Sequence, residues 1–168
     1  MPSWTTKVYE RRGKMKINTP TAKALRFFQK EPEHYMSIAD LKVVQQNFRN
    51  DESGEWKVAE DVGLSCFPRT HYRIRWNSTE SGAKWQSWAL LGVYVENTFA
   101  VRSIYSFDSS GEVDKDLPSS KVCIVDEYAI LQCPIFIYPF VKHSFNKAHD
   151  RLHHTLKCTL SQTPTSSP

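Results

Sequence analysis

Residues 71 to 76 read HYRIRW and alternate strictly, with Tyr72, Ile74 and Trp76 on one side of an extended chain and His71, Arg73 and Arg75 on the other. Period two marks a strand with one buried face, so this stretch predicts a sheet with aromatic core beneath it and a basic ridge above. The turn NSTESG and the run KWQSWALLGVYVE follow at once, and TFAVRSIYSF continues past a polar Glu96-Asn97 joint. Strands that succeed one another without crossover helices pair antiparallel. Any fold for this chain must therefore be built round a sheet.

The flanks predict helices. In NTPTAKALRFFQKEP, Thr19 suits a cap, Pro20 a first helical turn, and Ala24, Leu25 and Phe28 form one stripe, giving a helix over about 20–30. SIADLKVVQQNF predicts a second helix, with Ser37 as cap, Asp40 favouring its start, and Ile38, Leu41, Val44 and Phe48 at helical spacing. SFNKAHDRLHHTLKC predicts a third, with Phe145, Ala148, Leu152 and Leu156 on one stripe. KVCIVDEYAILQCPIFIYPF reads as two strands, the second broken by Pro134 and Pro139 and so placed at an edge or bulge. The order predicts an α+β domain over 19–158, with a mostly antiparallel sheet, two N-terminal helices and one C-terminal helix.

Residues 1–18 carry Lys7, Arg11, Arg12, Lys14 and Lys16 with no apolar period and read as a mobile basic arm; 159–168 reads as a disordered tail. With 168 residues, one hydrophobic core is the expectation. A net charge of +4 tilts the partners towards anions. No run approaches the roughly 18 apolar residues of a membrane span, and no signal peptide is visible, so a cytoplasmic protein is expected. Cys66, Cys123, Cys133 and Cys158 form no C-x-x-C pair and read as buried thiols.

Catalytic motifs are missing from the sequence. No nucleophile elbow or glycine-rich phosphate loop is present. Asp126 and Glu127, as neighbours on a strand, point to opposite faces and cannot flank one bond, so they read as a charged strand end. His149 and His153 stand four apart on a helix, a spacing that suits a metal, but no glutamate follows the first in the zincin order. A solvated basic face of Lys147, Arg151, His153, His154 and Lys157 is the plainer reading. No catalytic residue, metal or cofactor is expected.

The arm KVYERRGKMK, the predicted helix in HYMSIADLKVVQQNF, the strand HYRIRW with its turn, and the apolar strands after it resemble, in order over residues 35 to 140, the small matrix proteins of negative-strand RNA viruses, in particular the rhabdovirus type. The budding motifs of that family are not matched, because Pro20-Thr21-Ala22-Lys23 lacks the final proline. The resemblance implies a non-enzymatic protein of the virion that lies peripherally on acidic membrane surfaces, associates with itself and contacts a ribonucleoprotein. Its basic contacts would be Lys7, Arg11, Arg12, Lys14, Lys16, Arg73, Arg75, Lys147 and Arg151. Ile135, Phe136, Ile137, Tyr138 and Phe140 either fill the core or form an exposed edge for self-association. The alternative is a small RNA-binding regulator, such as a viral suppressor of host defence, using Arg73 and Arg75.

Overall fold

The computed structural model describes residues 5–60, 70–104 and 122–161. The elements run β1 (Thr6–Ile17), α1 (Thr21–Lys30), α2 (Pro32–Ile38), β2 (Lys42–Arg49), β3 (Ser53–Glu60), β4 (Thr70–Thr79), β5 (Gly82–Trp88), β6 (Tyr94–Ser103), β7 (Cys123–Pro134) and α3 (Tyr138–Ser161). All strand pairs are antiparallel, in one seven-stranded sheet of order β1-β7-β6-β5-β4-β3-β2. The fold is α+β with two helices near the start and one at the end, as the alternation at HYRIRW and its neighbours demands.

The inner face of the sheet holds the core. Met15, Ile17, Trp56, Val58, Ile74, Trp76, Trp85, Phe99, Val101 and Val125 come from the strands; Phe27, Phe28, Tyr35 and Met36 from α1 and α2; Leu152, Leu156 and Leu160 from α3. Buried Trp76 donates its indole N–H to the Phe28 carbonyl at 3.1 Å, which fixes α1 against β4. Gln29 ties the same helix to the β4–β5 turn by donating to the Thr79 carbonyl at 2.7 Å. Pro32 at the start of α2 ends α1 and turns Tyr35 and Met36 into the core. A second cluster of Ala129, Leu131, Cys133 and Phe145 seats the first turns of α3 on β7 and β1.

Four sequence expectations need correction. The basic residues of 1–18 are not an arm: Thr6–Ile17 is β1, in register with β7 along its full length. In that register Lys7, Tyr9, Arg11 and Gly13 sit opposite Cys133, Leu131, Ala129 and Glu127 on the inner face, while Arg12, Lys14 and Lys16 are exposed outside. The helix expected in SIADLKVVQQNF is absent: α2 ends at Ile38, Asp40 takes a positive φ of 62°, and Lys42–Arg49 is β2. Register shifts between Val43 and Gln45 and between Gln46 and Phe48 displace its alternation, and that displacement produced the helical spacing.

IFIYPF is not an edge strand. Ile135, Phe136 and Ile137 form a turn, and Tyr138 and Phe140 start α3, which therefore begins six residues before the expected cap at Ser144. Pro139 belongs in that first turn, where its missing N–H has no helical partner to lose. The thiol expectation also splits: Cys123 and Cys133 are buried but Cys158 is exposed. Cys66 lies outside the described residues, as does most of the tail expected after 159. Among the described residues no helix is long and apolar enough to cross a membrane.

Candidate functional site

Between sheet and helices the apolar core is interrupted where Tyr35 (α2), Asn97 (β6), Glu127 (β7), His149 and His153 (α3) converge. Asn97, Glu127 and His149 are buried, and Glu127 is only 2% exposed. Their placement follows from register. The buried row of β7 is Cys123, Val125, Glu127, Ala129, Leu131, Cys133, so Glu127 is the carboxylate in a row that is otherwise apolar or sulfhydryl. Phe99 on β6 and Gly13 on β1 flank it directly.

The geometry is specific. His153 Nε2 lies 2.5 Å from Glu127 Oε2, so its N–H donates to the carboxylate and ties α3 to the sheet. His149 Nδ1 is 2.8 Å from the Phe145 carbonyl one turn back, and its Nε2 is 3.1 Å from Asn97 Oδ1. Burial pushes the His149 pKa down, outweighing the Glu127 charge and the Phe145 carbonyl that raise it, so the ring is neutral at pH 7. A neutral ring with Nδ1–H on the carbonyl leaves Nε2 an acceptor, so a bond to Asn97 requires that amide flipped, with its NH₂ in the place of Oδ1. Tyr35, also bonded to Asn97, has its pKa driven far above the usual phenol value, first by burial and then by the Glu127 charge. It therefore stays a hydroxyl.

One oxygen of the carboxylate is left over. Glu127 Oε1 is buried with no hydrogen-bond partner, with His149 Nε2 at 3.5 Å. The indole N–H groups of Trp56 and Trp85 are likewise buried without partners. Aromatic rings surround the site: Tyr35 stacks on Trp85 at 4.2 Å, and Phe99 lies 5.7 Å from Tyr35 and 5.0 Å from Phe28. A buried acceptor with flat aromatic walls suits a small ring bearing a donor or a positive charge.

Gly13 is part of this construction. A Cβ there would run into the His153 ring and come within 3.0 Å of Glu127 Oε2, so only glycine leaves room for the pair. Arg11 borders the site, donating to Asp150 at 2.7 Å and Asn146 at 3.3 Å on α3.

The basic residues named from sequence do not come together. Arg11 is committed to α3, while Arg12, Lys14 and Lys16 face outward on β1. Lys147 and Arg151 are exposed on α3, with Arg151 3.9 Å from Asp40. Arg73 and Arg75 do face outward, but Glu55 lies 4.0 and 3.1 Å from them and the Trp88 ring beneath them. The apolar residues split in the same way, since Ile135, Phe136 and Phe140 are exposed while Ile137 and Tyr138 pack partly against the second core cluster. His153 is not on a solvated helix face but turned inward. Among the described residues no group of three or more His, Cys, Asp or Glu is arranged to hold a metal ion.

A seven-stranded antiparallel sheet gripping a long C-terminal helix, with two short helices after the first strand, defines the Bet v1-like, START-like class of folds. Solved structures agree. TTHA0849 from Thermus thermophilus is 13% identical with a TM-score of 0.59, covering 90% of this chain and 97% of that one. Truncated norcoclaurine synthase from Thalictrum flavum is 13% identical with a TM-score of 0.59, covering 97% and 100%. Ara h 8.0201 is 9% identical with a TM-score of 0.51, covering 89% and 99%. At these identities the likeness is one of fold. No protein-family model matches the chain, and no curated protein is similar to it in sequence.

These findings overturn the viral matrix resemblance and the functions drawn from it. The order of strands and helices that suggested it belongs to a Bet v1-like fold, two of its supporting elements being misread, and neither the membrane-surface nor the RNA-regulator reading has support. Sequence reasoning missed Tyr35 and Asn97, and it weighed Glu127 only as part of a charged strand end and His149 only as one of a metal-spaced pair. The signal for Glu127 was present: of two adjacent carboxylates on a strand, one must face the core.

Proposed function

We propose that this chain is a non-enzymatic binding protein for a small aromatic molecule carrying an amine or other strong hydrogen-bond donor, held between the sheet and α3 with Glu127 as its anchor. The observation that carries this reading is the unpartnered, fully buried Oε1 of Glu127 set among aromatic rings. A buried carboxylate with an unsatisfied oxygen is costly to keep, and a ligand donor removes that cost. His149 is held neutral and Tyr35 remains a hydroxyl, so no second charge competes with the carboxylate for the ligand. Binding is favoured over turnover because the second carboxylate oxygen is already held by His153 and the surrounding side chains are packed. Entry requires α3 or the α1–α2 pair to move away from the sheet.

A structure of norcoclaurine synthase from Thalictrum flavum, 13% identical with a TM-score of 0.54, holds dopamine and hydroxybenzaldehyde. That belongs to the other protein, but it supports the choice of probe. Dopamine and a neutral phenol are titrated against the chain, following tryptophan fluorescence, since Trp85 lines the site. Dopamine should bind, and Glu127→Gln should weaken it about 10- to 100-fold, the ratio expected for a charge-assisted hydrogen bond of roughly 1.5–3 kcal/mol. Equal affinity of the variant, or no binding of dopamine at millimolar concentration, refutes the reading.

A further inference from the structure

The outer face of the sheet holds a second, unrelated feature. Strand register sets Gln45, Lys57, Arg73, Trp88 and Tyr94 in one row across β2 to β6. Lys57 and Arg73 are thus direct cross-strand neighbours, and like charges in that position repel. Among the described residues the carboxylate within reach is Glu55, and it is already engaged: Arg75 and Asn47 donate to it at 3.1 and 3.2 Å, with Arg73 only at 4.0 Å. Those bonds hold the Glu55 pKa below its usual value against the opposing effect of desolvation, so Glu55 supplies a single negative charge. Arg73 and Arg75 share it, and among the described residues no carboxylate pairs with Lys57.

A hollow of about 320 Å³ opens beside this row, and Lys57, His71, Arg73, Trp88, Ala89 and Leu90 are among its walls. One side is cationic. The other is the half-buried Trp88 indole with Ala89 and the exposed Leu90. Arg73 and Arg75 lie 5.1 and 5.5 Å from the Trp88 ring centre, which holds both guanidiniums in place by cation–π attraction. The size is at the small end for ligand sites, enough for one ring and its substituent. Another hollow, of about 540 Å³ beside β1, β6 and β7, is lined by Arg12 and Lys14 but also by Asp126 and Glu127, a mixed lining that does not select an anion.

We propose that the β3–β4–β5 hollow binds a single-ring aromatic anion, with the carboxylate or phosphate between Lys57 and Arg73 and the ring against Trp88, Ala89 and Leu90. The anion supplies the negative charge that this row lacks, and the ring covers the indole edge. The site is separate from the interior cluster and stands whether or not the interior binds a ligand.

The test is calorimetric titration of the full chain at low salt with phenyl phosphate, benzoate, inorganic phosphate and phenol. Phenyl phosphate and benzoate should bind with tryptophan quenching, and inorganic phosphate and phenol about 10-fold or more weakly, because each lacks one half of the recognition. Lys57→Gln with Arg73→Gln should abolish measurable binding. Lys57→Gln alone should weaken binding while leaving the melting temperature unchanged or raised, since it relieves repulsion, and this separates lost recognition from lost folding. Glu127→Gln should bind the anions normally. The proposal is overturned if inorganic phosphate binds as tightly as phenyl phosphate, if the double variant retains affinity, or if only a polyanion binds.

Discussion

Glu127→Gln separates two opposite accounts of the interior. If the His153–Glu127 contact were a favourable buried ion pair, removing the carboxylate charge would cost about 3–5 kcal/mol. The structure argues for the reverse. A buried charge repays its desolvation only when its remaining lone pairs are bonded, and Oε1 is not. A glutamine of the same shape still accepts from His153 with its oxygen, and it removes the buried negative charge whose second oxygen has no partner. Removing an uncompensated buried charge is worth about 1–3 kcal/mol, and each kcal/mol moves the midpoint of a domain of this size by about 2–4 °C. The expected result is a melting temperature higher by about 2–12 °C at pH 7, measured by calorimetry without ligand, together with loss of dopamine binding. A fall of about 6 °C or more would show that the ion pair holds α3 in place and would refute the argument that the carboxylate is kept for a ligand.

Gly13→Ala should destabilise by about 1–3 kcal/mol because its methyl group strikes the His153 ring, and His153→Ala in the same chain should recover part of that loss; strict additivity in chemical denaturation would disprove the contact. His149 has a folded pKa below its ordinary 6.5 because burial outweighs Glu127, with Arg11 and His153 also lowering it. Between that depressed value and 6.5 the unfolded chain binds more protons, so stability is complete above 6.5 and falls as the pH drops through this window. Melting temperature should therefore decline from about pH 7.5 to about pH 5, above the range where Glu55, Glu96 and Asp150 titrate, and His149→Leu should flatten the decline. Leu91 has φ of 61° while its side chain is 66% exposed, so Leu91→Gly should raise stability by about 0.5 kcal/mol; a loss in the same denaturation assay would mean the leucine makes a contact worth more than its backbone strain.

The architecture was legible wherever one face of an element is buried and the other wet. HYRIRW places Ile74 and Trp76 in the core and Arg73 and Arg75 outside, because a strand's alternation transfers directly into burial. The same rule failed at β2, where every residue is exposed and two register shifts break the period, so local spacing no longer reported structure. It failed at β1 for another reason: a strand rich in lysine and arginine looks unstructured until β7 supplies its ladder.

The sequence by itself determined the antiparallel sheet, the helical flanks and the opposition of Asp126 and Glu127, since each depends on periodicity between near neighbours. Only the tertiary structure decided that Tyr35, Asn97, Glu127, His149 and His153 meet at one buried point. They come from four elements, up to 118 positions apart in a chain numbered 35 to 153 at these residues. Strand register and the docking of α3 bring them together, and no local pattern encodes either.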